Sequence, residues 1–513
     1  MRLPNERETM RHATFRFLSA VLFSSTLLGP RALAQDRAAA PRESTPSGAA
    51  ALIGEVLSPR NRMEEDLRVL TDEIGGRVTG SPGYEAALQW GVEALRRAGV
   101  DSVRLEPYDA PARWESESAT AAVVSPYRFP LRVVSFALAP STPGALTAFL
   151  VDAGTGRRSD FEKLGNRAKG AIALVRTKQM KSLEDLFGEY LLGPEMLSAA
   201  RQSGASAILF LSSRPRDLLY RHQISLDGTM SALPMALIAR EDGLRLARLL
   251  EKGRALKVSL ELKNRVGGPW RAQNVVADIR GSSKPEEIVL LGAHLDSWEL
   301  GTGALDNGVN CALVVEVARA LVAGTRPART VRLVLFTGEE LGLLGSRGYV
   351  AAHRGDMDRH VAALIHDIGD GRITGYYDNG RPEIVPTLSS VLEPVAAWGS
   401  GSFSDEALLG TDNFDFLLEG VPNLVANQEA ERYLPDYHAE SDTFDKVDFR
   451  EARLNAAIAA VTVAGIANAP SRLAPRQSRA DVAKVLEKSG IAEQMKTYGL
   501  WADWEKGQRG RKD

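Results

Sequence analysis

Glu287-Ile288-Val289-Leu290-Leu291-Gly292-Ala293-His294 and Thr330-Val331-Arg332-Leu333-Val334-Leu335-Phe336 are short apolar runs, and what lies between them decides the fold. Each has the length and composition of a strand buried on both faces. From Gly308 to Val322, Val309, Ala312, Leu313, Val315, Val317, Ala318 and Leu321 recur at helical spacing. Strand, loop, helix and strand in this order form a crossover, which brings the second strand back parallel to the first. The loops that follow the two strands therefore leave the sheet at one edge, where α/β sheets carry their chemistry.

Those loops are rich in side chains that bind metals. His294-Leu295-Asp296-Ser297-Trp298 and Gly303-Ala304-Leu305-Asp306-Asn307-Gly308 follow the first strand, and Thr337-Gly338-Glu339-Glu340 follows the second. A hydrolytic metal site needs neutral imidazoles and ionised carboxylates converging on one point. Singly, His294 would be an ordinary half-buried histidine, Asp306-Asn307-Gly308 a turn or helix cap, and Glu339-Glu340 surface charge. Their order on one strand, loop, helix, strand unit favours the metal site.

The three motifs resemble those of the co-catalytic di-zinc peptidases, the aminopeptidase and glutamate carboxypeptidase family, and within it the carboxypeptidase Q group. The likeness extends from Gly75-Gly76-Arg77-Val78-Thr79-Gly80-Ser81-Pro82-Gly83 through Leu105-Glu106-Pro107 to Tyr437-His438-Ala439-Glu440-Ser441-Asp442-Thr443. It implies the zinc exopeptidase fold, an α/β fold with a mixed, mostly parallel central sheet flanked by helices and carrying an inserted protease-associated domain. It also implies that His294 and Asp367 hold one zinc, Glu340 and His438 the other, and that Asp306 bridges them. Cobalt or manganese also suit such a ligand set.

Glu339 resembles the family's general base, which takes a proton from water polarised by the two metals and passes it to the leaving amine. Asp296 would orient a ligand imidazole. Asp442 either does the same near His438 or caps a turn. The implied substrates are dipeptides or short peptides. Asp412 and Asn413, in Gly410-Thr411-Asp412-Asn413-Phe414, and Tyr437, beside a ligand, are candidates to contact them. Relatives by resemblance are often dimers, so the resemblance also implies a homodimer. Two other classes share the scaffold: a non-catalytic binding protein that has lost its metals, and an acyltransferase of the glutaminyl cyclase type. The complete ligand set and Glu339 argue against the first, and the insert and the His-Leu-Asp-Ser-Trp motif against the second.

A chain of 513 residues with a formal charge of −2 and a pI near 6.5 has room for two cores and no basic surplus for nucleic acid or anionic membranes. Its partner is expected to be small. Cys311 is the only cysteine, so no disulfide forms within the chain, and its place in an apolar helix points to packing. Arg2, Arg7, Arg11 and Arg16 precede the apolar run Phe17 to Leu28, and Ala32-Leu33-Ala34 supplies a cleavage site. Residues 1–34 thus read as an export signal, with a periplasmic or secreted mature chain starting at Gln35. Residues 35–50 read as a flexible leader, and no later run is long and apolar enough to span a bilayer.

The catalytic domain is expected in two pieces, 51–114 and 266–470. Its first helix after the Gly75 to Gly83 loop is Tyr84 to Arg97, with Ala86, Leu88, Val92, Leu95 and Ala98 facing the core. Between the pieces, 115–265 alternates short strands, Ala171 to Val175 and Ala207 to Leu211, with helices at Glu195 to Ser203 and Glu241 to Lys252. This stretch is similar to the protease-associated domain and reads as a lid or spacer that supplies no ligand. Residues 471–513 form an extension containing one amphipathic stretch, Ala480 to Lys496. His222, His353 and His360 fall in polar surroundings and read as ordinary histidines, whereas His366 abuts Asp367 and strand alternation turns it away.

Overall fold

The computed structural model describes residues 48–512. The stretch read as an export signal, and all but the last three residues of the stretch read as a leader, lie outside them. Helix Gly48–Val56 begins within the stretch read as leader, because three successive alanines favour the helix and Leu52 and Val56 give it a face to bury.

Strand Lys284–His294 runs parallel to Arg329–Phe336 on one side and to His360–Ile365 on the other, and His360–Ile365 runs parallel to Asn423–Gln428. These four are the middle of an eight-stranded sheet. Ser102–Ala110 and Trp270–Ile279 extend it antiparallel at one edge, and Ile373–Tyr377 and Ser402–Ser404 complete the other. The mixed, mostly parallel sheet is as expected. Alternation explains the unbroken apolar run: Val289, Leu291 and Ala293 join the core on one face, while Leu290 packs with Val334, Phe336 and Ile365 on the other.

Helix Val309–Ala323 covers the first face and buries every apolar position its spacing selects. Helix Pro82–Ala98 packs in the same core. The Ser81 hydroxyl accepts from the Tyr84 amide at its start, and Gly99 ends it in a left-handed conformation. Ala86 was expected on its buried face but is exposed, and the larger Trp90 together with Ala87 takes the core side.

A second eight-stranded sheet lies within Arg113–Gly267. The chain enters it along Arg113–Ser125 and leaves along the antiparallel Lys257–Gly267, with Arg113 opposite Gly267. It has apolar cores on both faces, Leu174, Leu209 and Leu260 on one and Ala173, Phe210 and Leu237 on the other. Its helix expected at Glu195 to Ser203 is Leu183–Gln202. Pro194 sits in the interior, and because proline favours a first turn it hides the turns before it from a pattern reading.

The amphipathic stretch Ala480 to Lys496 is two helices, Arg479–Lys488 and Ile491–Thr497, divided at Gly490 with φ 75°. Val482, Leu486, Met495 and Trp504 of this extension pack on Leu343, Leu409 and Phe414, and the buried Arg509 pairs with Asp415 at 2.7 Å. His222 and His360 are buried rather than in polar surroundings: His222 is ringed by Phe136, Tyr190, Phe210 and Tyr220, and His360 bonds Tyr349 at 2.9 Å. The aromatic partners come from distant segments, which local composition does not show. Among the described residues no helix is long and apolar enough to cross a membrane.

Candidate metal centre

The four central strands are parallel, so their carboxyl ends discharge at one edge of the sheet. His294 ends the first, Glu339 and Glu340 follow the second by three and four residues, Asp367 follows the third by two, and His438 lies in the loop after the fourth. Asp306 comes from the turn before helix Val309–Ala323. Side chains scattered over more than a hundred residues thus meet above the sheet.

His294 Nε2 is 2.8 Å from Asp367 Oδ1 and 3.2 Å from Asp306 Oδ1. His438 Nε2 is 2.9 Å from Glu340 Oε2 and 3.3 Å from Asp306 Oδ2. The five side chains therefore form two halves that share the Asp306 carboxylate. Ligating atoms of His294, Asp306 and Glu340 all lie within 4.8 Å of one another, and all three residues are buried.

The charge balance is unusual for a protein interior. Burial pushes the Glu340 carboxyl up to about 7 and that of Glu339 well above its ordinary value. Burial also opposes charge on the two imidazoles, but Asp367 and Glu339 beside His294, and Glu340 and Asp306 beside His438, outweigh it and hold both pKa values up, His438 at about 9. Asp306 moves the other way: burial opposes its charge, yet the flanking imidazoles keep its carboxyl below the usual range. Asp306 Oδ2 and both oxygens of Glu340 are buried and accept no hydrogen bond, although His438 Nε2 lies near. Buried carboxylate oxygens left without donors are costly, and divalent cations would satisfy them.

The supporting contacts come from far along the chain. Asp442 accepts from the Leu305 amide at 2.7 Å and the Asp306 amide at 3.1 Å, so it holds the Asp306 turn rather than His438. The fully buried Arg77 donates to the carbonyls of Leu295, Thr302 and Gly303, tying together the two loops that carry His294 and Asp306. Gly303 has φ 60°, and a Cβ there would lie 2.3 Å from that of Ser297, so only glycine fits this approach. Asp296 lies beside His294 as expected, but its backbone carbonyl is the atom at hydrogen-bonding distance from His294 Nδ1, 3.0 Å away. Its carboxylate accepts from Thr79 at 3.0 Å and from the Glu339 amide at 3.3 Å. Cys311 is buried and donates its thiol to the His294 carbonyl at 2.9 Å.

A cavity of about 470 Å³ opens over the site. Glu339, Glu340, His294, Asp306, Asp367, His438 and Tyr437 line it. Asp412 and Asn413 do not. Asn413 spends its amide on Asn379, Asn423 and the Leu408 carbonyl, and Asp412 is fully buried behind the wall, where burial raises its carboxyl to about 8. Thr411 of the same loop reaches the cavity instead. Two further walls were not legible in the sequence: Phe187 and Tyr190 from helix Leu183–Gln202, and Gln494 and Tyr498 from the C-terminal extension. His366 is buried away from the cavity, edge-on to Tyr376.

Residues 274–463 match the model of peptidase family M28. Carboxypeptidase Q of Xenopus laevis is 30% identical over 398 residues, which is 76% of this chain and 82% of that protein. The crystal structure of a peptidase M28 precursor from Shewanella amazonensis superposes with a TM-score of 0.73 at 28% identity, covering 84% of this chain and 98% of that one. A zinc aminopeptidase from Bacillus subtilis shares the fold, with a TM-score of 0.63 at 22% identity over 78% of this chain and 93% of its own.

Proposed function

The chain belongs to peptidase family M28 and is a hydrolytic metallopeptidase, and on that premise we propose that it is an exported exopeptidase holding two zinc ions and cleaving dipeptides or short peptides. The observation that carries this reading is the single Asp306 carboxylate facing both His294 and His438, with donorless buried oxygens beside it. His294 and Asp367 would hold one ion, Glu340 and His438 the other, and Asp306 both. Zinc bound there would supply Lewis acidity, lowering the pKa of water and polarising the scissile carbonyl.

The chain's own groups do the rest. Glu339 borders the cavity, and its backbone amide is anchored by the Asp296 carboxylate. It takes one proton from water as the water oxygen bonds to the carbonyl carbon, then gives that proton to the amine nitrogen as the carbon–nitrogen bond breaks. Asp296, through its carbonyl on His294 and its carboxylate toward Thr79 and Glu339, orients both a ligand and the base. Asp442 and Arg77 fix the loop that presents Asp306.

The cavity suits a small apolar substrate. Phe187, Leu343, Leu409, Tyr433, Tyr437 and Tyr498 give it extended apolar walls, so side chains of short peptides bind by burial. The stretch 115–265, read as a protease-associated domain, contributes Phe187 and Tyr190, so it would help form the substrate wall rather than serve as a spacer alone. The test is release of free amino acids from a library of unblocked dipeptides and tripeptides by zinc-loaded protein. Cleavage of apolar members is expected, and inertness toward the whole library overturns the reading.

A further inference from the structure

The loop between strands Ala207–Leu211 and Met235–Ile238 of the second sheet and the loop carrying His438 are joined backbone to backbone. The Arg221 amide donates to the His438 carbonyl at 2.9 Å, the Glu440 amide donates to the Leu219 carbonyl at 3.0 Å, and Tyr220 and Ala439 form an isolated antiparallel bridge between them. His438 has φ 57°, in the left-handed region that residues with a Cβ occupy only where surroundings impose it. Arg214 also donates to the Tyr437 carbonyl at 3.3 Å, and Arg221, buried, pairs with Glu299 beside the loop of His294.

The side chain is held from the same direction. Nε2 of His438 faces Asp306 and Glu340, whereas Nδ1 lies 3.2 Å from the Arg221 carbonyl oxygen and 3.3 Å from the Tyr190 hydroxyl. A carbonyl only accepts, so this contact is a hydrogen bond only when Nδ1 carries the hydrogen. That tautomer leaves the Nε2 lone pair free to bind metal. The Tyr190 oxygen can then accept from Nδ1 while its own hydrogen goes to the Tyr437 hydroxyl, 3.2 Å away. The Tyr437 ring lies flat on the imidazole, with centroids 3.7 Å apart and planes at 21°.

We infer that Tyr190, on helix Leu183–Gln202, and the Arg221 carbonyl are positioning groups for His438, fixing its tautomer and aim, so that the inserted segment Arg113–Gly267 is a working part of one half of the metal centre. This rests on the reading of His438 as a ligand. Hydrogen-bond partners of ligand imidazoles typically carry about 10- to 100-fold in metal affinity. A loss confined to the His438 half is expected because His294 is oriented within its own loop.

The test titrates zinc, in competition with a chelator, into metal-free wild type, Tyr190→Phe and Tyr220→Phe, with cobalt spectra of each protein as a second readout. Tyr190→Phe removes one hydroxyl and keeps the ring. Tyr220→Phe is the control, since the Tyr220 hydroxyl bonds Glu189 and Ser213 and not His438. The expected result is about tenfold or greater weakening of one metal equivalent in Tyr190→Phe, with a changed cobalt spectrum and the other equivalent within twofold. Wild-type affinities and spectrum in Tyr190→Phe overturn the inference, as does equal weakening of both equivalents in the two variants. Failure of wild type itself to bind metal would instead refute the metal-centre reading beneath it.

Discussion

Asp306 turns Oδ2 to within 3.3 Å of His438 Nε2, while its other oxygen stands 3.2 Å from His294 Nε2. One carboxylate thereby links His294, at the end of strand Lys284–His294, with His438, from the loop after strand Asn423–Gln428 two places away in the sheet. Replacing Asp306 by alanine should therefore damage both halves together. Asp306→Ala is expected to hold fewer than two zincs per chain by elemental analysis and to lose hydrolysis by about 10³-fold or more. Asp367→Ala should lose only one.

Asp442→Ala is expected to destabilise the protein by about 1.5–3 kcal/mol, because a buried carboxylate accepting from two backbone amides is removed and both donors are left unpaired. Denaturant unfolding of the metal-free protein measures this. Zinc affinity should fall as well, since those amides belong to Leu305 and Asp306.

Proton and metal compete for this site with a definite sign. In the metal-free protein His438 is held at about 9 against an ordinary 6.5, so the stability it contributes is complete below 6.5 and lost as pH rises through 9. Burial holds Glu340 at about 7 against 4.5, so its ionisation in the same direction also costs stability. Metal-free protein should lose thermal stability from about pH 7 to 9, above the range in which the buried imidazoles of His222, His360 and His366, with lowered pKa values, add stability as pH rises, and the stabilisation conferred by zinc should grow over that range. Melting curves with and without zinc check both trends.

Tyr498 belongs to the C-terminal extension and lines the cavity. Tyr498→Ala should raise KM for apolar dipeptides by about threefold to tenfold through lost aromatic burial, with kcat little changed. Steady-state kinetics separate the two.

The fold and the heart of the site were legible because the informative pattern is local. An apolar strand of seven or eight residues announces itself, and the side chains just past its end are the ones a parallel sheet exposes at its edge. That logic places His294, Asp306 and the Glu339-Glu340 pair at one edge of the sheet, whereas the ligand assignments, with Asp367 and His438 among them, needed the family resemblance as well. The supporting residues were hidden because their partners are remote: Arg77 acts on a carbonyl 218 residues away, and Tyr190 on an imidazole 248 residues away. Asn413 misled for the same reason, since its amide is consumed by Asn379 and Asn423 across the sheet edge. Pro194 and Gly490 altered helix boundaries that composition alone would place elsewhere.

The most direct measurement is zinc content and dipeptide hydrolysis on the same preparations of wild type and Glu339→Ala. Two zincs in each protein, with hydrolysis reduced about 10²- to 10⁴-fold in Glu339→Ala, is the expected result for a base that moves protons without holding metal. Hydrolysis at the wild-type rate by Glu339→Ala, or wild type that binds no zinc and cleaves nothing, would contradict it.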